Sequence, residues 1–207
     1  MISMNSIHKS YRNKKIFSDY DLSVEDGEFI CIMGRSGSGK TTLLNLLSII
    51  DKPDSGDIKI LGYKNPQKKI LRGLRRDHFG FVFQNYVLLN DKTLYQNLLI
   101  SRPNFKSKVK LESEFSKALE RVQLDSSLLH RPVYELSGGE QQRLAIARVL
   151  LKPFSIIFAD EPTGNLDDVN KQIIFDLFRE IQERGKTIVC VTHDESFAEQ
   201  SNRIVRI

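Results

Sequence analysis

Nine residues, Gly34-Arg35-Ser36-Gly37-Ser38-Gly39-Lys40-Thr41-Thr42, gather three glycines, one lysine and two threonine hydroxyls directly after the apolar run Phe29–Met33. Glycines at such spacing let successive backbone N–H groups turn toward one centre, where they bind phosphate oxygens. A lysine closing the loop reaches the β and γ phosphates of a nucleotide, and the hydroxyl after it is a ligand for Mg²⁺. The stretch therefore predicts an ATP site over Gly34 to Thr42, with Lys40 catalytic and Thr41 on the metal.

Other residues have chemistry to offer that site. The apolar run Ser155–Ala159 delivers Asp160 and Glu161 to its carboxyl end, which is where open α/β sheets bind ligands. Asp160 suits Mg²⁺, and Glu161 suits the attacking water as proton acceptor or orienter. Capping of the next helix is the alternative use of such a pair. His193 leaves the run Thr187–Thr192 in the same way and is assigned to the γ phosphate, whereas His8, His78 and His130 read as surface or packing residues. Gln84 follows Phe79–Phe83 and is placed on Mg²⁺ or the water, where it would sense the nucleotide. Tyr11, in the turn Lys9–Phe17, either stacks on adenine through its ring face or packs on its neighbours. A second anion-binding place is Leu136-Ser137-Gly138-Gly139-Glu140-Gln141-Gln142-Arg143. It opens a helical run, where backbone N–H groups are unpaired.

Short apolar runs at 29–33, 79–83, 155–159 and 187–192 alternate with helical patterns. The last two are nearly continuous in apolar character, as strands covered on both faces of a parallel sheet are. Val169, Ile173, Ile174, Leu177, Phe178 and Ile181 recur at helical period, with Gly185 as the stop. This alternation predicts an α/β fold, a P-loop NTPase core around a parallel sheet. The segments 1–11 and 20–30 read as half-exposed antiparallel strands turned by Asp26-Gly27, forming an N-terminal antiparallel β subdomain. Residues 85–152 read as a helical insertion, and Asn202–Ile207 as a last short strand. The expected organisation is a single domain over 1–207, with a nucleotide-binding core at 1–84 and 153–207 and a helical subdomain at 85–152.

Composition sets bounds on this picture. A 207-residue chain with 40% hydrophobic residues can bury one substantial core. Its apolar runs fall short of the roughly 18 residues a spanning helix needs, and no export signal opens it, so a soluble cytosolic protein is expected. A net charge of +5 favours anionic partners without choosing among them. The basic stretch 64–76 reads as a solvated helix face. Cys31 and Cys190 lie in apolar runs without metal-ligand spacing and read as small buried hydrophobes.

Taken in order, Tyr11, Gly34–Thr41, Gln84, Leu136–Arg143, Ile156–Pro162, Gly164–Asp167 and His193 resemble the nucleotide-binding subunit of ABC transporters over essentially the whole chain. The fuller strings are similar to the branch that holds macrolide-export, lipoprotein-release and cell-division ATPases. The resemblance implies two subunits, identical or related, paired head to tail. Ser137, Gly138 and Gly139 of one then close over the γ phosphate held by the other, with Asp167 at the boundary. It also implies an integral membrane permease as partner, Gln84 and the helical insertion passing motion to it, and a place on the inner face of the membrane. The cargo expected is a peptide, lipid-linked or drug-like molecule, for export or extraction.

Arg35 and Asn90 stand where this branch commonly has proline, and neither change removes a catalytic group. The short chain suggests a stand-alone subunit without a regulatory tail. A rival with the same chemistry is an ATPase that controls a membrane protein mechanically without transport. A chromosome or DNA-repair ATPase would need a long coiled coil, and no sustained heptads occur, so no nucleic acid is expected. A simple phosphate-loop kinase would leave Leu136–Arg143 without purpose.

Overall fold

The computed structural model describes residues 1–12, 14–102, 107–164 and 166–207. Along them run β1 (Ile2–Tyr11), β2 (Lys14–Val24), β3 (Phe29–Met33), α1 (Lys40–Leu47), β4 (Ser55–Ile60), β5 (Tyr63–Lys64), α2 (Lys68–Asp77) and β6 (Phe79–Val82). After these come α3 (Leu94–Leu99), α4 (Lys108–Arg121), α5 (Gly138–Leu150), β7 (Ile156–Asp160), α6 (Asp168–Glu183), β8 (Thr187–Val191), α7 (Glu195–Ala198) and β9 (Arg203–Arg206). Short 3-10 turns at Ser126–His130 and Val133–Glu135 lead into α5.

The strands form two sheets. One is antiparallel, in the order β2-β1-β4-β5, and the other is parallel, in the order β6-β7-β8-β3-β9. Side chains of a strand alternate between faces, and here the two faces of the parallel sheet feed different cores. Phe29, Cys31, Met33, Ile157, Ala159, Ile188 and Cys190 pack with α3, α4, α5 and α6. Ile30, Ile32, Ile156, Phe158, Val189 and Val191 pack with α1, α2 and the antiparallel sheet. Burial on both sides is why these strands carry apolar residues at every position. Cys31 and Cys190 are free thiols, fully buried in neighbouring strands, as small hydrophobes.

Two readings need correction. Asp26-Gly27 is a turn, yet it passes the chain from the antiparallel sheet to the parallel one. The hairpin of the first sheet closes instead between Tyr11 and Lys14, with Arg12 at φ +52°; Asn13 lies outside the described residues. Val169 is 71% exposed, because the apolar stripe of α6 begins one turn later, at Ile173 and Ile174. Its first turn faces away from the core and is capped by Asp167, which accepts from the Asn170 N–H.

Between β6 and β7 the described residues contain helices and turns, with one isolated bridge from Thr93 to Pro132. The strand order sets four loops side by side along the carboxyl edge of the parallel sheet. Gln84 follows β6, Asp160 ends β7 with Glu161 after it, His193 follows β8, and the glycine-rich loop follows β3.

Candidate active site

A cleft of about 570 Å³ opens at this edge, lined by Ile16, Gly34, Ser36, Gly37, Gly39, Lys40, Thr41, Thr42, Gln84, Asp160, Glu161 and His193. Residues from five separate stretches of chain thus face one space. Arg35 and Ser38 belong to the loop without lining it. Gly39 caps α1 at φ +109°, and a Cβ there would sit 2.6 Å from Ile16 Cγ2. Only glycine satisfies both conditions. The Lys40 ammonium donates to the carbonyls of Gly34 at 2.9 Å and Arg35 at 3.2 Å. It lies folded over the loop whose N–H groups it would assist.

Asp160 is half-buried, and burial followed by the neighbouring Glu161 charge raises its pKa above the ordinary carboxylate range. A hydrogen bond from Thr41 and the charge of Lys40 oppose that rise. Excess negative charge beside three oxygen donors, those of Thr41, Gln84 and Asp160, is a fit for a hard divalent cation such as Mg²⁺. Glu161 adopts φ +47°, a left-handed conformation unusual for this residue type. Its N–H donates to Val191 O at 2.9 Å. Its carboxylate Oε2 accepts from the His193 N–H at 3.2 Å and lies 2.8 Å from His193 Nδ1. The carboxylate is thus held by the loop after the next strand, while the imidazole is 64% exposed.

The remaining candidates stand apart from this cleft. Ser137 caps α5, accepting from Glu140 N and donating to the Glu140 carboxylate at 2.7 Å. Ser137 and Gly138 are exposed, whereas Gly139 is buried. A Cβ on Gly139 would lie 2.4 Å from Asn170, which donates to the Asp167 carboxylate and accepts from Arg143. Gly139, Asn170, Asp167 and Arg143 thus form one knot between the starts of α5 and α6. Tyr11 also lies off the cleft wall, its hydroxyl donating to Asp51 Oδ2 at 2.5 Å. Asn165, within the stretch Gly164–Asp167, is outside the described residues.

Sequence reasoning passed over several participants. Ile16 packs under Gly39, and Lys14 Nζ donates to the Gly37 carbonyl at 3.3 Å. The Tyr86 hydroxyl sits 3.1 Å from where a Gly138 Cβ would be, so the segment after Gln84 touches Leu136–Arg143. Basic and alternating residues near a strand start give no local sign of such long-range contacts. Asp167 is a capping residue type, and the residue it caps, Asn170, is the centre of the knot.

A family model described as ABC transporter matches residues 17–164. The chain belongs to the ABC transporter family. It is an ATPase cassette. The cassette is similar to the macrolide export ATP-binding/permease protein MacB of Rhodopirellula baltica, at 42% identity over all of this chain and 32% of that protein. It spans about a third of the length of the curated relatives it matches. It is also similar to the ATP-binding cassette MJ0796 in a dimeric post-hydrolysis state bound to ADP and Pi. There the TM-score is 0.89 and the identity 34%, over 100% of this chain and 94% of that one. A dimeric structure of MJ0796, described as a bacterial ABC transporter cassette, gives the same TM-score at 35% identity. Among the described residues no helix of the cassette is long and apolar enough to cross a membrane.

Proposed function

We propose that this cassette is the ATP-hydrolysing unit of a membrane transporter, working as a head-to-tail pair joined to a permease. The carrying observation is the division of the phosphate-binding groups. Lys40 and the glycine loop face one cleft, while Ser137 and Gly138 lie exposed outside it. Two exposed half-sites are complete only when the Ser137 face of one copy covers the cleft of another. That MJ0796 forms dimers supports the pairing of two copies.

Within each site the loop N–H groups and Lys40 neutralise the β and γ phosphates. Thr41, Asp160 and Gln84 would hold Mg²⁺, which when bound would withdraw charge from the phosphate oxygens. Glu161 accepts the proton of the attacking water, and its carboxylate is already oriented by His193. The imidazole, kept at the cleft by that contact, meets the γ phosphate. Ser137 of the partner copy closes the other side, with the helix start adding partial positive charge. ATP favours the closed pair, and its hydrolysis reverses the preference.

The helical segment 85–152 moves as a subdomain with Gln84 and transmits closure to the permease at the inner face of the membrane. The curated relatives, named for macrolide export, favour export of a drug-like substrate, with a peptide or lipid-linked cargo as the alternative. Titration of Lys40→Ala with MgATP tests the site assignment. Affinity and turnover should both collapse, and wild-type turnover in that variant contradicts it.

A further inference from the structure

Tyr11 ends β1 and is 46% exposed, and its environment is more elaborate than a packed turn residue needs. The phenol hydroxyl donates to Asp51 Oδ2 at 2.5 Å. Lys9, only 6% exposed, places its ammonium 4.9 Å from the centre of the Tyr11 ring. That ammonium pairs with Asp51 Oδ2 at 2.8 Å and donates to the Lys52 carbonyl at 2.7 Å. One carboxylate therefore binds both the cation on the ring and the hydroxyl at its edge. Asp51 is itself fixed to α1, its N–H donating to Asn45 O at 3.1 Å. The helix that begins at Lys40 in the phosphate loop thus holds, about one turn past its end, the carboxylate that sets the angle of the tyrosine.

We propose that Asp51 and Lys9 are positioning residues for the nucleotide base: together they lock Tyr11 as a preset stacking platform at fixed distance from the phosphate loop, suited to a purine nucleoside triphosphate. The proposal rests on the reading that Tyr11 receives adenine. A buried ammonium is costly unless paired, so Lys9 and Asp51 form a unit. A lysine held against one face of the ring by cation–π attraction leaves the opposite face for a base. Fixing the ring beforehand removes a rotamer cost from binding. Phosphate recognition does not pass through this unit.

The test compares binding of ATP and of inorganic tripolyphosphate to the whole chain carrying Tyr11→Ala, Tyr11→Phe, Asp51→Ala or Tyr11→Phe with Asp51→Ala. Tyr11→Ala checks the underlying reading, and it should weaken ATP about tenfold while sparing tripolyphosphate. If Tyr11→Ala leaves the ratio of the two affinities unchanged, that reading falls and the platform with it. Tyr11→Phe keeps the ring and removes only its tether. It and Asp51→Ala should each weaken ATP about three- to fivefold, raise KM for ATP and leave kcat at saturation intact, and the double variant should lose no more than the larger single. A ratio unchanged in Tyr11→Phe and Asp51→Ala, with Tyr11→Ala still impaired, overturns the positioning role alone. So does an equal loss for tripolyphosphate, which marks general damage to α1.

Discussion

Glu161 and His193 meet at 2.8 Å, carboxylate Oε2 to imidazole Nδ1, although they leave different strands and are 32 positions apart in the chain. The pairing follows from strand order: β7 and β8 are neighbours in parallel register, with Asp160 opposite Val191, so the residues just beyond them emerge side by side. The His193 backbone N–H holds the same oxygen, which fixes the carboxylate even without the ring.

Glu161→Gln should retain ATP and lose hydrolysis by about 10²- to 10⁴-fold, the usual worth of a positioned base. Gel filtration with ATP should then show accumulated dimer. Dimer absent under saturating ATP, or turnover near wild type, would remove Glu161 from the water.

Gly139→Ala should destabilise the fold by about 1–3 kcal/mol, the range for forced overpacking. The added Cβ meets Asn170, and that amide has little freedom to move because Asp167 and Arg143 both hold it. Adding Asn170→Ala should recover part of the loss in urea unfolding. Equal instability in single and double variants would locate the strain elsewhere.

Asp194 gives a pH-dependent prediction. Burial alone would raise its pKa, but hydrogen bonds from Ser196, Lys171 and the Phe197 N–H outweigh it and bring the carboxyl to about 2. A pKa lowered by folding stabilises fully above the ordinary carboxylate value, and the benefit disappears as pH falls through the folded value. Asp194→Asn should therefore be less stable than wild type at neutral pH. That gap should close between about pH 4 and pH 2, measured by urea midpoint. A gap independent of pH would assign the effect to the shape of the amide.

What the sequence made legible, and what it hid, divides by the range of the contacts involved. The glycine loop, the strand-borne Asp160 and Glu161, and the helix start within Leu136–Arg143 are local patterns, readable from spacing. The parallel strands were readable because double burial makes every position apolar. The hairpin closing between Tyr11 and Lys14 was misplaced because Asp26-Gly27 carries an equally strong turn signal and only the sheet topology separates their roles. Val169 sat in phase with the α6 stripe, yet the first turn of that helix projects beyond the core. The grip of Asp51 on Tyr11 spans 40 positions, and neither residue type announces the other.

Pairing of two incomplete sites is the central claim, and mixing inactive variants tests it most directly. Lys40→Ala lacks a phosphate-loop cation, while Ser137→Arg binds nucleotide and fails to close a partner's site. A head-to-tail heterodimer of the two has one site with both defects and one with neither. The mixture should regain turnover absent from either parent, up to about a quarter of wild type if exchange is random and sites act singly. A mixture that forms heterodimers and stays as inactive as its parents would contradict the account.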